Sequence, residues 1–154
     1  MNNNNSADGP SSVLRRAREF AGRNPIELAA KAGMNPAAYF DLESHDDDVL
    51  TAVPVRTLQA ICDELSLSAY SLFAKFETSG EQLSTNLVIG DRIREHLATT
   101  SLSLADFETK IGYEIGSVLS CPSAVLDWNI DCLRSVCQAI GVDWRSALQR
   151  NEGY

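Results

Sequence analysis

The residues of this chain best equipped for chemistry stand together at His45-Asp46-Asp47-Asp48, an imidazole followed by three carboxylates. Oxygen ligands of this kind suit a hard cation, but consecutive carboxylates in a loop ordinarily form a solvated run. His96 is isolated. The cysteines, Cys62, Cys121, Cys132 and Cys137, include no Cys-x-x-Cys pair. Cys132 and Cys137 lie on one expected helix, about 140° apart around its axis, and free, mostly buried thiols are expected. The chain has no Gly-rich phosphate loop, no nucleophile motif and no spaced Cys/His set. These residues point to a protein that acts by binding rather than catalysis, with neither metal nor cofactor.

The elements that position them come in two copies. Leu58, Ile61, Cys62 and Leu65 have the spacing of one buried helical face, and Leu133, Val136, Cys137 and Ile140 repeat it 75 residues later. Upstream, Leu14-Arg15 matches Ile93-Arg94, Leu28 matches Phe107, Gly33 matches Gly112 and Tyr39 matches Val118, all 79 apart. Two constant offsets with one break between them describe a duplicated unit that lost four residues in a single connection, between about positions 40 and 55 of the first copy.

Each copy divides into five short helices. In the first, Val13–Ala21 opens, Asn24 caps a helix begun by Pro25 and ended by Gly33, and Asn35 caps a helix begun by Pro36 that runs to Glu43. A polar loop, Ser44–Val53, leads to Val55–Leu65, and Ser68 caps a last helix through Phe73. The second copy takes Ser103 as a cap, Gly112 as a turn and Asp143 as its last cap. The expected organisation is a disordered segment at 1–12, a first domain at 13–76, a polar linker at 77–87 and a second domain at 88–150. The Asn-rich lead, MNNNNSADGPSS, has too little apolar surface to offset the entropy of ordering it.

Thirteen Lys and Arg against 21 Asp and Glu give a net charge of −8, shared evenly between the halves. An acidic whole disfavours general affinity for phosphate backbones, although a basic patch can coexist with it. No apolar run is long enough for a membrane span and no signal-like leader is present, so a cytoplasmic location and no membrane partner are expected.

The stretch from Gly22 to Glu43, GRNPIELAAKAGMNPAAYFDLE, resembles the helix-turn-helix core of the Cro/cI (XRE-like) family, with its Leu28-Ala29 pair, its Gly33 turn and a recognition helix ending in Glu43. The resemblance covers about Val13–Phe73 and, more weakly, Ile89–Leu148. It implies an all-α protein of two tandem five-helix lambda-repressor-like domains, the second degenerate. Leu28, Tyr39 and Leu42 would lock the helix crossing, and Gly33 would supply a positive φ. The resemblance also implies an ion pair between Arg18 and Glu43. The aligned residues of the second copy are Leu97 and Pro122, so both members are gone together, as expected when a buried charge cannot be left unpaired.

As a DNA-binding transcriptional regulator, the chain would act as an internal pseudo-dimer on two unlike half-sites about 34 Å apart. Arg15, Arg16, Arg23, Lys31 and Asn35 would contact DNA, with Ala37 and Phe40 at the groove. Yet the base-facing positions hold Pro36, Ala37 and Asp41 in one copy and Ile115, Gly116 and Ser120 in the other, none of them a base-reading cation or amide. The alternative is a protein-binding adaptor, of antitoxin or immunity type, with Ala37, an outward Phe40, Asp41 and the Asp46, Asp47 and Asp48 loop at the interface. Further association into a homodimer stays open. Trp128 and Trp144 are expected to close the core of the second copy.

Overall fold

The structure, a computed structural model, describes residues 9–149 of the chain. Among them the helices are α1 (Pro10–Phe20), α2 (Pro25–Lys31), α3 (Pro36–Ser44), α4 (Asp46–Thr51), α5 (Val55–Glu64), α6 (Ala69–Leu72), α7 (Ile89–Thr100), α8 (Leu104–Ile111), α9 (Ser117–Ser120) and α10 (Ile130–Ala139). Three 3-10 segments, Asn86–Val88, Pro122–Asp127 and Trp144–Leu148, complete them. No strand is present among the described residues, only two isolated backbone bridges. The chain is all-α, and none of these helices is long and apolar enough to cross a membrane.

Side-chain caps fix four of the helix starts. Asn24 Oδ1 accepts from the Ile26 amide at 2.8 Å, Asn35 Oδ1 from Ala37 at 2.8 Å, Ser103 Oγ from Asp106 at 3.1 Å and Asn129 Oδ1 from Cys132 at 2.7 Å. Each satisfies an amide that the first turn leaves without a carbonyl partner. Gly33 and Gly112 close the second helix of each half at φ +72° and +83°, where a Cβ would clash with the following carbonyl.

Two expectations change. The lead expected to be disordered through residue 12 is helical from Pro10, where α1 begins, and Ser11 is buried with its amide and hydroxyl donating to Asp46 Oδ1 at 3.0 and 2.6 Å. The rest of that lead, residues 1–8, lies outside the described residues. The expected loop of Ser44–Val53 contains α4, whose first turn is Asp46, Asp47 and Asp48. Acids there face the positive end of the helix dipole, which stabilises each by about 0.3–1 kcal/mol at low salt. The expected polar linker is tied to the segment around Gly141 and Ser146. The Glu81 amide donates to the Gly141 carbonyl, the Asp143 amide to the Glu81 carbonyl, and the Leu83 amide to Ser146 Oγ, at 2.9, 2.8 and 2.8 Å. A side chain at Gly80 would place Cβ 2.5 Å from the Gly141 carbonyl oxygen.

The buried apolar residues form one continuous cluster from Leu14 to Leu148. Where the two halves meet, like packs on like. The Val55 amide donates to the Trp128 carbonyl at 2.7 Å, within an antiparallel bridge that sets Pro54 opposite Asn129, residues 75 apart in sequence. α5 packs on Pro122–Asp127 while α10 packs on α4, and α6 packs on Trp144–Leu148, its own counterpart at the same offset. Such reciprocal contacts are those of an isologous two-fold interface. Arg145 crosses it, donating to the Phe73 and Phe76 carbonyls and to the Tyr70 hydroxyl at 2.8, 3.1 and 2.8 Å. Trp144, buried, meets Phe73 and Phe76 edge-to-face at 5.3 and 5.7 Å, and Trp128 is buried as well.

Candidate binding face

α3 owes its orientation to a buried polar triad. Arg18 on α1 makes a two-pronged contact with Glu43, Nε to Oε1 at 2.5 Å and Nη2 to Oε2 at 3.1 Å, and its Nη1 donates to the Arg23 carbonyl at 3.1 Å. Tyr39 donates its hydroxyl to the same Glu43 Oε1 at 2.9 Å. The paired carboxylate raises the Arg18 guanidinium above its ordinary range, and burial together with Glu43 pushes the Tyr39 phenol up. Every charge in the triad is hydrogen-bonded, the condition under which an ion pair can be kept out of water. The pairing expected of Arg18 and Glu43 is thus present.

With Tyr39 and Leu42 turned inward and fully buried, the outer face of α3 carries Ala37, Ala38, Phe40 and Asp41. Phe40 is 44% exposed, as expected of an outward aromatic. Asn35, expected at DNA, is the helix cap and spends its side-chain oxygen on the Ala37 amide. Arg23 and Lys31 are not loose cations: Glu64 at the end of α5 accepts from Arg23 Nη2 at 3.1 Å and lies 3.5 Å from Lys31 Nζ, and its carbonyl takes Arg23 Nη1 at 3.1 Å. Arg23, then Lys31, hold the Glu64 carboxyl below its usual range. Arg15 and Arg16 are exposed on α1, and Arg16 has an interaction partner.

The acidic residues also sort differently. Asp46 receives Ser11, while Asp41, His45 and Asp48 bring ligand-capable atoms within 4.8 Å of one another across the α3–α4 junction. Their spacing of four and three residues is helical, a relation hidden while residues 44–53 read as a loop. Asp41 and His45 are exposed, which leaves this face acidic and hydrated.

The second half has no equivalent face. α9 is a single turn, ending where Cys121 is extended before Pro122, as the residue preceding a proline prefers. Ile115, aligned with a base-facing position, is fully buried and lies before the helix, so it cannot present itself to a groove; Ser120 is exposed. Glu108 accounts for the departure from the Leu-Ala pattern: its carboxylate accepts from the Ile115 amide at 2.6 Å and closes the turn into α9. Cys62, Cys132 and Cys137 are buried and Cys121 is exposed. Burial pushes the Cys132 and Cys137 thiols up to about 12, so at neutral pH they are packing groups.

No family model, curated protein or solved structure matches this chain.

Proposed function

We propose that the chain is a non-catalytic, cytoplasmic binding protein built from two tandem helix-turn-helix-like units joined as an internal pseudo-dimer, and that the outer face of α3 engages a protein partner. The observation that carries this is the state of the cations. α3 has none, and the two beside it, Arg23 and Lys31, share the single carboxylate of Glu64. A phosphate backbone would have to displace that carboxylate while approaching Asp41 and Asp47. An outward aromatic beside small and acidic residues suits a partner with an apolar pocket rimmed by Lys or Arg.

The test compares the intact chain with Phe40→Ala as bait in an extract of its native cells. A partner retained by the first and lost by the second supports the reading; identical retention overturns it. A DNA-binding regulator is the second reading, favoured by the like-on-like pairing of Pro54 with Asn129, which displays two units as a dimeric regulator does. Enrichment of one bipartite motif from sheared genomic DNA at physiological salt would decide for it.

A further inference from the structure

The near two-fold relation between the halves exposes a difference between two clefts that correspond to one another. One, of about 330 Å3, is lined by Arg134, Gln138, Trp144 and residues 77–79. There the chain supplies its own filling: the Arg134 guanidinium carbon lies 5.3 Å from the Phe76 ring centre and 5.8 Å from that of Trp144. The other, of about 490 Å3, is lined by Gln59, Ser66, Ser68 and Ala69, by Asp63 and, from the second half, by Leu148. At the 75-residue offset Gln59 replaces Arg134 and Ala69 replaces Trp144. The loss of an indole and a guanidinium leaves this space open among the described residues.

Gln59 gives that space a chemical preference. It is 9% exposed, lies on the inner face of α5, and forms no hydrogen bond with any described residue. Its amide is not sealed in the core, since the buried polar atoms left without a partner are Trp144 Nε1 and Arg145 Nε alone among the described residues. Gln59 lines the cleft. Ser68 starts α6 without using its hydroxyl as a cap, and Ser66 holds the loop beside it at φ +53°. No lysine or arginine among the described residues lines the cleft. An amide at the wall of a cleft, with no protein partner among the described residues, can give its donor and acceptor to a matching ligand edge.

We propose that this cleft binds a small planar molecule with an apolar ring, an amide-type donor–acceptor edge and no negative charge. Its ring takes the place that the Trp144 indole takes in the other half, and its edge pairs with the Gln59 amide as paired amides do. The volume is within the range of small-molecule sites. Because Leu148 belongs to one half and Gln59 to the other, an occupant bridges the two. The proposal is independent of the α3 reading.

Nicotinamide and nicotinate, one ring with either an amide or a carboxylate, make the test. In 1H–15N correlation spectra of the full-length protein, nicotinamide at roughly millimolar concentration should give saturable shifts at the Gln59, Ser66, Ser68 and Ala69 amides. Nicotinate should bind at least about tenfold more weakly, and Gln59→Leu, of similar volume, should cost nicotinamide a similar factor. Shifts that never saturate, shifts centred elsewhere, or equal affinity for the two probes on the unmodified chain would each overturn the assignment. So would a folded Gln59→Leu protein that binds nicotinamide unchanged.

Discussion

Replacing Arg18 by leucine would leave Glu43, whose side chain is 6% exposed, with only the Tyr39 hydroxyl for company. Stranding one member of a buried pair costs about 3–5 kcal/mol. For a chain of this size each kcal/mol moves Tm by about 2–4 °C, so Arg18→Leu should melt roughly 6–20 °C lower. Glu43→Leu should cost less, about 1–3 kcal/mol, because Arg18 is 14% exposed and keeps its bond to the Arg23 carbonyl. The double replacement should be milder than the sum of the two, since no charge is then stranded; the second half, with Leu97 and Pro122 at these positions, folds without the pair. Urea titrations of all four proteins followed by far-ultraviolet circular dichroism close the cycle. A single-mutant cost under about 1 kcal/mol for Arg18→Leu, or a double mutant as unstable as the summed singles, would refute the claim that the pair is buried and coupled.

Under native conditions a thiol reagent should react promptly with Cys121 alone, and with all four cysteines only in denaturant. The same burial predicts alkaline sensitivity: with the Cys132 and Cys137 thiols at about 12 in the folded chain and near 8.5 when unfolded, stability due to them is intact below about 8.5 and is lost as pH rises through that window. Urea midpoints measured from pH 7 to 11 would show it, and a flat profile would contradict it. Gly33→Ala, at φ +72° with open space around it, should cost about 1–2 kcal/mol from backbone strain alone, read from the same titrations. Arg145→Ala removes the bonds to the Phe73 and Phe76 carbonyls and to Tyr70 and should loosen the junction of the halves, seen as faster cleavage of residues 77–87 in limited proteolysis.

Much of this architecture was legible because its signals are local. Asn24, Asn35, Ser103 and Asp143 stand where helices start, and each reveals itself within three residues of the amide it caps. The inward and outward turns of Tyr39 and Phe40 follow from helical periodicity. What escaped was either concealed by composition or remote in sequence. Three aspartates are poor helix formers in mid-helix and good ones in a first turn, so α4 read as a loop. The Asn-rich lead hid Pro10 as a helix start, though proline at that position is favoured. Glu64 claims Arg23 across 41 residues, a pairing no local pattern announces, and it is this contact that changes the reading of the α2–α3 face. The pinning of residues 80–83 by the segment around Gly141 and Ser146 is equally non-local.

The antiparallel bridge that sets Pro54 opposite Asn129 joins two halves that travel on one chain. A dimer of separate subunits falls apart on dilution, at a concentration fixed by its dissociation constant. Here each half meets the other at an effective concentration of about millimolar or above, whatever the amount of protein in the cell. Scarcity therefore cannot switch this pairing off. A substitution, moreover, alters one side of the interface and not both, which is how Trp144 can sit where the other half has Ala69, a divergence that two identical subunits sharing one gene could not reach.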